Sequence, residues 1–413
     1  MNYNISTKQS KVTIYNIYIS MSYYILPKNH TKIKESDIEL ISSNHSNFSI
    51  SISKSLCEYV MNTKGKIDSY SLQWDNFKKY TNPYEYIHTI VPNCRTPVAK
   101  HKPLSRSYYK FIEITNLLHI LEPFDLENIK SFHLAEGPGG FIEAINNLRN
   151  NRNDVYYGMT LIDECDVNIP GWKKSQAFLE KHSNIILEKG ATGDGNLYES
   201  TNLLSCYQKY ANSMHIITGD GGFDFSVNYN DQEALSVKLI LSQILYALVM
   251  QRCGGAFILK IFDVFSKPTI DCISLLTSFY NQVYIVKPNT SRYANSERYL
   301  VCKDFRFTNT SFLLKKFLSI LEQVRSESYV NQILSINIPH ILNSRIEEIN
   351  AIFGQQQIES INNTIGLIEH NKSEKLEQIK KNNIQKCTNW CIKHKVAYHK
   401  IIPQHNIFLS RDA

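Results

Sequence analysis

The 413-residue sequence has no hydrophobic run long enough to cross a bilayer. Its longest apolar segment, Leu239 to Met250, is interrupted by Ser242 and Gln243, whereas a spanning helix needs about 20 apolar residues. The N-terminus is apolar only in patches broken by Asn, Ser and Lys, which argues against a secretory signal. A cysteine framework is missing too. The nine cysteines are scattered and odd in number, so a reducing compartment is expected, the cytoplasm or the nucleus, and no membrane. Neither sign of charge dominates: 45 Lys and Arg against 38 Asp and Glu leave a formal +7, which permits a polyanionic partner such as RNA without requiring one. Metal-ligand spacing is also lacking. Cys387, Cys391, His394 and His399 crowd together, but a C-x3-C pair followed at once by two histidines fits no zinc pattern. Cys387, Trp390, Cys391 and His394 fall instead on one helical face, as packing residues do, and no metal is expected.

What is present is ordinary for a folded chain, with 43% hydrophobic and 20% charged residues, over a length that suits one large domain with extensions or two domains. The Asn, Ile, Lys and Tyr bias is what an AT-rich genome writes, a large DNA virus being one such source, and says nothing of function. The informative stretch is 131–143, Ser-Phe-His-Leu-Ala-Glu-Gly-Pro-Gly-Gly-Phe-Ile-Glu. Phe132 to Ala135 reads as a buried strand, Gly137-Pro138-Gly139-Gly140 as a turn, and Phe141 to Leu148 as a helix. Strand, glycine turn and helix together make the ligand site of an open α/β sheet. A dinucleotide fingerprint requires a third glycine three residues after the second, and Ile142 stands there. Paired Gly139 and Gly140 suit close backbone approach by a ligand without phosphates, of which S-adenosylmethionine is the commonest.

Along the chain, Val12 to Ile19 alternates as a short strand, and Phe48 to Val91 reads as two helices broken near Lys64-Gly65-Lys66. A loop over 92–106 carries Arg95, Lys100, Lys102 and Arg106, either as a solvated linker or facing RNA. A helix over Ser105–Leu121 precedes the strand at 131–135. Further strands are expected at Val155–Ile162, Asn184–Glu188, His215–Thr218, Ala256–Phe262, Val283–Val286 and Arg298–Cys302, with helices at Asp231–Arg252 and 268–281. Alternating strands and helices imply a mostly parallel sheet covered on both faces. The last two strands are joined by about ten residues without a helical pattern, which suits an antiparallel pair. The expected fold is therefore α/β, a Rossmann-like methyltransferase sheet of six parallel strands plus one antiparallel, with extensions at both ends. The expected divisions are a mixed N-terminal extension over 1–104, the sheet domain over 105–305, and a polar helical appendage over 306–413.

Four polar residues converge at one edge of that sheet. Lys260 sits near the C-terminal end of a strand apolar on both faces, Ala-Phe-Ile-Leu-Lys-Ile-Phe, where an unpaired ammonium is costly and where open α/β sheets place ligands. Asp220 ends a strand at the same edge, within a glycine turn. Glu297 begins the antiparallel strand, which places it at the edge where the parallel strands end. Lys110 lies in the first turns of a helix that descends toward the start of the first sheet strand, so its beginning also lies at that edge. Glu297 and Lys110, each alone, read equally as surface charges, whereas a snorkelling lysine and a turn-capping aspartate are the lesser readings of Lys260 and Asp220.

Specific motifs surround them: Ser-Arg-Ser-Tyr-Tyr-Lys ending at Lys110, Gly-Pro-Gly-Gly-Phe at 137–141, Asp-Gly-Gly-Phe at 220–223, the strand containing Lys260, and Ser-Arg-Tyr-Ala-Asn-Ser-Glu-Arg-Tyr at 291–299. In these the chain resembles the FtsJ-like RNA 2′-O-methyltransferases, and within them the cap-specific mRNA branch. The Ser-Asp-Met-Ala-Pro of the bacterial ribosomal branch is absent. The resemblance covers about 105–305. It implies S-adenosyl-L-methionine as cofactor, capped RNA as substrate, a partner in the capping or transcription machinery, and Lys110, Asp220, Lys260 and Glu297 as the catalytic set. The cofactor would meet Gly137, Pro138, Gly139, Gly140 and Phe141 with its methionine part, beside Asp220, and Asp163 with its ribose. One departure is visible: Gly-Ala-Thr-Gly-Asp-Gly-Asn-Leu at 190–197 replaces the Asp-Gly-Thr-Gly-like turn of cap enzymes, so Asp194 competes with other residues for the adenosine.

The implied reaction is an in-line displacement by a ribose hydroxyl. Alignment supplies much of the acceleration, and a lysine on the hydroxyl accepts its proton if neutral or steadies the alkoxide if charged. Burial and Lys110 favour a neutral Lys260, Asp220 and Glu297 a charged one. Three rivals stand beside this reading: 2′-O-methylation of internal ribosomal or transfer RNA, a non-catalytic RNA-binding scaffold subunit, and a Rossmann oxidoreductase in which Asp163 serves a nicotinamide ribose.

Overall fold

The structure, a computed structural model, describes residues 23–30, 33–45, 49–163, 165–166, 169–222, 230–326, 329–370 and 372–401. The strand expected over Val12–Ile19 lies outside the described residues, as does Phe223 of the Asp-Gly-Gly-Phe motif.

In chain order the N-terminal part comprises β1 (Tyr23–Ile25), β2 (Ile38–Ser43), α1 (Lys54–Gly65) and α2 (Ser71–Thr81). The central part follows with α3 (Ser107–Leu118), β3 (Lys130–Leu134), α4 (Gly140–Arg149), β4 (Val155–Met159), α5 (Gln176–Leu179), β5 (Ile185–Leu187), α6 (Ser200–Tyr210) and β6 (Met214–Gly219). It continues through α7 (Gln232–Met250), β7 (Gln251–Ile261), α8 (Lys267–Phe279), β8 (Tyr280–Val286) and β9 (Arg298–Phe305). The C-terminal part holds α9 (Leu314–Ser326), β10 (Tyr329–Leu334), α10 (His340–His370) and α11 (Ser373–Lys393).

The main sheet has eight strands in the order β1-β8-β9-β7-β6-β3-β4-β5. Strands β3 to β8 run one way, and β9 is antiparallel between β7 and β8. This is the expected Rossmann-like methyltransferase sheet of six parallel strands and one antiparallel. The eighth strand was not anticipated: β1 adds to the outer edge of β8 in antiparallel register, Tyr24 opposite Ile285. A second difference concerns β10. It lies in the stretch expected to be entirely helical, yet it pairs with β2 in a separate two-stranded sheet. Tyr-Val-Asn-Gln-Ile-Leu alternates too briefly to stand out between two helical runs.

Alternation along the strands feeds two cores. Phe257, Leu259 and Ile261 of β7 face α6 to α9, while Ala256 and Ile258 face the side covered by α3, α4 and α11. Helix α7 is long and apolar enough by composition to cross a membrane, but most of it is buried within the first core, which is why it is apolar nearly all round. On the other side Trp390 meets Tyr109 edge to face with ring centroids 5.8 Å apart, and Cys387 and Cys391 are buried beside it. The cleft described next opens where β3, β4, β6 and β7 end and β9 begins.

Candidate active site

Lys110, Asp220, Lys260 and Glu297 come from α3, the end of β6, β7 and the residue before β9, and all four line one cleft of about 670 Å³. Strand register explains the meeting. Lys260 lies directly opposite Tyr299 across β7 and β9, and Glu297, two residues before Tyr299, shares its face by strand alternation. Lys110 reaches the same spot from the first turns of α3, with Nζ 2.7 Å from Glu297 Oε1 and 2.8 Å from Oε2. Ser291 Oγ donates to Glu297 Oε1 at 2.8 Å. On the far side of the group, Lys260 Nζ donates to the Asp220 carbonyl at 2.6 Å and stands 3.4 Å from Asp220 Oδ1. Tyr299 joins the two halves, its hydroxyl donating to Asp220 Oδ1 at 2.9 Å while its ring lies 6.0 Å from the Lys110 ammonium. Gly222 leaves room for the Lys260 head, since a Cβ there would sit 3.0 Å from Nζ.

The charges are balanced by contact rather than by water. Burial alone would raise the Glu297 carboxyl, but the ammonium groups of Lys110 and Lys260, with the Arg106 guanidinium, hold it well below the usual carboxylate range. The Tyr299 hydroxyl is pushed far up by burial and by the carboxylates of Asp220 and Glu297, so it remains a donor. Behind the cleft Lys287 is fully enclosed. Its Nζ donates to the carbonyls of Asn295 and Glu297 at 2.6 and 2.8 Å and to Asn295 Oδ1 at 2.9 Å, fixing the backbone that carries Glu297.

The glycine turn forms the opposite wall. Gly137 and Pro138 line the cleft with Glu136, and Thr160, Leu161 and Gly195 to Tyr198 continue it. Gly139, Gly140 and Phe141 stand behind this surface. Gly139 has φ +103° and faces Trp172, and Gly140 lets the start of α4 touch the Ser105 and Ser107 hydroxyls. Phe141 is buried against Phe111 and Tyr299 at 5.1 and 6.0 Å. Asp163 and Asp194 are not among the lining residues. Asp163 Oδ1 accepts the backbone amides of Cys165 and Asp166 at 2.8 and 3.2 Å. Asp194 Oδ1 takes the Thr192 hydroxyl at 2.5 Å and the Asn196 amide at 3.0 Å. Each carboxylate therefore holds a turn beside the cleft.

Sequence reasoning passed over Glu136, Lys287, Tyr299 and Asn196 to Tyr198. Tyr299 carried a usable signal, its two-residue offset from Glu297 on one strand face. Glu136 carried another, an acid between a buried strand and a glycine turn. Lys287 gave none, because a lysine at a strand end reads as a surface charge.

Comparison with known proteins places the central part in a family. Residues 103–305 match the FtsJ-like methyltransferase family. The chain is similar to cap-specific mRNA (nucleoside-2′-O-)-methyltransferase 1 of Homo sapiens, 36% identical over 180 residues covering 42% of this chain and 21% of that protein. It is also similar to cap-specific mRNA (nucleoside-2′-O-)-methyltransferase 2 of Pongo abelii, 28% identical over 327 residues covering 76% of this chain and 41% of that one. Among solved structures, a putative ribosomal RNA methyltransferase from Plasmodium falciparum aligns at 21% identity and a TM-score of 0.32, over 49% of this chain and 97% of that one. The chain thus spans well under half the length of these two curated relatives.

Proposed function

Since residues 103–305 are an FtsJ-like methyltransferase domain, we propose that this chain transfers methyl from S-adenosyl-L-methionine to the ribose 2′-hydroxyl of the first transcribed nucleotide of capped mRNA. The observation that carries the reading is the joining of two lysines and two acids, distant along the chain, in one cleft with the glycine turn after β3. The names of the curated relatives support capped RNA as the substrate.

The cleft fits the cofactor on its own chemistry. Its volume of about 670 Å³ lies within the range of small-molecule sites. One wall is backbone at Gly137, Pro138 and Gly195, while Leu161, Leu197 and Tyr198 offer apolar surface for a purine. When bound, S-adenosyl-L-methionine supplies the activated methyl group. Gly137 and Pro138 hold its methionine part beside Asp220, and Gly195 to Tyr198 its adenosine. Gly139, Gly140 and Phe141 shape that wall from behind, and Asp163 and Asp194 act through the turns they hold.

Lys260 is the group that meets the 2′-hydroxyl. Both contacts of its nitrogen are to oxygen acceptors, which hold its head in place. As the C–O bond forms and the methyl–sulfur bond breaks, an N–H of Lys260 steadies the charge that grows on the ribose oxygen, and the hydroxyl proton passes to solvent water. Asp220 and Tyr299 orient it. Lys110 and Glu297 form the second half of the tetrad, setting the field at the hydroxyl and closing one side of the site. Alignment of the acceptor oxygen is the main requirement, and these four side chains supply it from elements anchored in the sheet.

The test is a transfer assay with labelled methyl on capped RNA lacking ribose methylation, with nuclease digestion to map the modified nucleotide. Lys260→Ala is expected to lose transfer while calorimetry still shows cofactor binding. Near-normal turnover by that variant removes Lys260 from the reaction. Equal labelling of uncapped transcripts, or a label at internal positions, transfers the assignment to internal RNA methylation.

A further inference from the structure

Glu136 lies at the cleft wall between the end of β3 and the glycine turn, and no role above uses it. Its side chain is buried, with the residue 3% exposed. Oε1 accepts the backbone amide of Phe141 at 2.5 Å, whereas Oε2, also buried, has no hydrogen-bond partner. That sets it apart among the described buried glutamates. In each of the other buried glutamates both oxygens are engaged: Glu85 by Arg292, Asn82 and Thr89, Glu113 by Asn289 and Thr290, and Glu233 by Phe265 and Ser266. Glu143 is held through His101 and Leu104, and Glu188 through Lys209, Tyr210 and two backbone amides. A buried acceptor without a donor is costly, and a helix cap needs only the oxygen already spent on Phe141. No donor reaches the second oxygen; the charged groups acting on the carboxyl are Asp220 from the end of β6 and Lys260 from β7, with the Tyr299 hydroxyl nearby on β9.

Resting on the cofactor reading above, we propose that Glu136 is the subsite for the α-ammonium group at the amino-acid end of that nucleoside, its free oxygen taking an N–H of the ligand. An ammonium supplies what is missing at this oxygen, a hydrogen-bond donor, and adds a second positive charge to that of Lys260 beside the acids Glu136 and Asp220. The electrostatics agree. Burial and the Asp220 carboxylate push the Glu136 carboxyl well above the usual range, with Lys260 and the amides of Phe141 and Ile142 pulling it back. An arriving cation would favour the charged carboxylate against that burial penalty.

Two probes separate this role from a purely structural one. S-adenosylhomocysteine carries the ammonium; 5′-methylthioadenosine has the same adenosine and thioether without the amino-acid end. Glu136→Gln keeps an acceptor for the Phe141 amide and the same shape. By calorimetry on the full chain, the variant is expected to bind S-adenosylhomocysteine about ten- to a hundredfold more weakly, the range of one charged hydrogen bond, and 5′-methylthioadenosine within about twofold of the unaltered chain. Equal weakening for both ligands, or for neither, overturns the proposal. If the unaltered chain binds neither nucleoside, it is the cofactor reading that fails, and this proposal falls with it.

Discussion

Glu297 is held by donors of two kinds, the Lys110 ammonium on both oxygens and the Ser291 hydroxyl on Oε1. Among the described residues its carboxylate is the only full negative charge in direct contact with Lys110, whose own ammonium is disfavoured by burial. Glu297→Gln removes that charge and turns an amide toward the lysine. Breaking one side of a buried pair costs up to about 3–5 kcal/mol, so thermal melting should fall clearly. A displaced Lys110 misaligns the acceptor, and transfer is expected to drop about a hundredfold, with S-adenosylhomocysteine affinity little changed. A variant that keeps full transfer would show that the pair only supports the fold. At this scale the sequence was readable where topology restricted a residue to one edge. Lys110, Asp220, Lys260 and Glu297 could each be placed from strand order and direction before any contact was known. Tyr299 was hidden among 25 tyrosines, and the Lys287 clasp depends on a loop conformation that no periodicity encodes.

Among the elements, the turn after β5 shows how far local sequence reaches. A glycine-rich turn was expected at 190–197, but the roles of its residues follow from neighbours distant in sequence. The Ile162 amide donates to the Asp194 carbonyl at 2.8 Å, which presses the turn against the end of β4. Gly195, at φ +68°, is so close that a Cβ would lie 2.1 Å from the Thr160 carbonyl oxygen; Gly193, at φ +79°, has nothing within 4 Å of that position. The two glycines thus make opposite predictions. Gly193→Ala carries only the left-handed backbone cost of about 1–2 kcal/mol and should keep nucleoside affinity. Gly195→Ala carries the same cost plus a backbone clash, so the turn must move off the cleft, and affinity for 5′-methylthioadenosine should fall at least about tenfold. Parallel titrations and melting curves test the pair; equal affinities would mean the turn yields freely. Strand β7 shows a related limit. It starts at Gln251, five residues before the apolar run at Ala256, because the chain passes Gly254 at φ +77° and the pairing with β6 shifts register between Met214 and Ile216. Hydrophobic pattern marks where a strand is buried, and a polar, irregular start leaves no such trace.

Over the whole molecule, the segments flanking the central sheet meet each other and the back of the cleft. Strand β2 pairs with β10, Thr81 and Thr364 hydroxyls lie 2.7 Å apart, and the Arg292 guanidinium grips Glu85 through Nε and Nη2 at 3.0 and 2.6 Å. Asn350 of α10 accepts from Arg298, the neighbour of Glu297, at 2.9 Å. Sequence could not show this closure, because a mixed extension before the sheet and a polar helical appendage after it carry no pattern that pairs them, and most of the contacts join residues more than two hundred positions apart. The strongest seam is Lys64 of α1 with Asp263, three residues beyond Lys260, at 2.6 Å with side chains 5% and 8% exposed. Among the described residues, Lys64→Ala leaves Asp263 only Arg298 Nη2 at 3.9 Å as an ion-pair partner, a poorly compensated buried charge worth up to about 3–5 kcal/mol. The more exposed pair Arg345–Glu348, with side chains 34% and 61% exposed, provides the control, and Glu348→Ala should change stability by no more than about 0.5 kcal/mol. Acid distinguishes the two further. Although burial opposes it, Lys64 and Arg298 hold the Asp263 carboxyl below its ordinary range, so the stabilisation is complete above the unfolded carboxylate value and is lost as pH falls through the lower folded one. The gap between the unaltered chain and Lys64→Ala, measured by denaturant unfolding, should therefore be full near neutral pH and narrow below about pH 4. A gap under about 1 kcal/mol at neutral pH would mean that α1 rests on the sheet without bracing the strand end that carries Lys260.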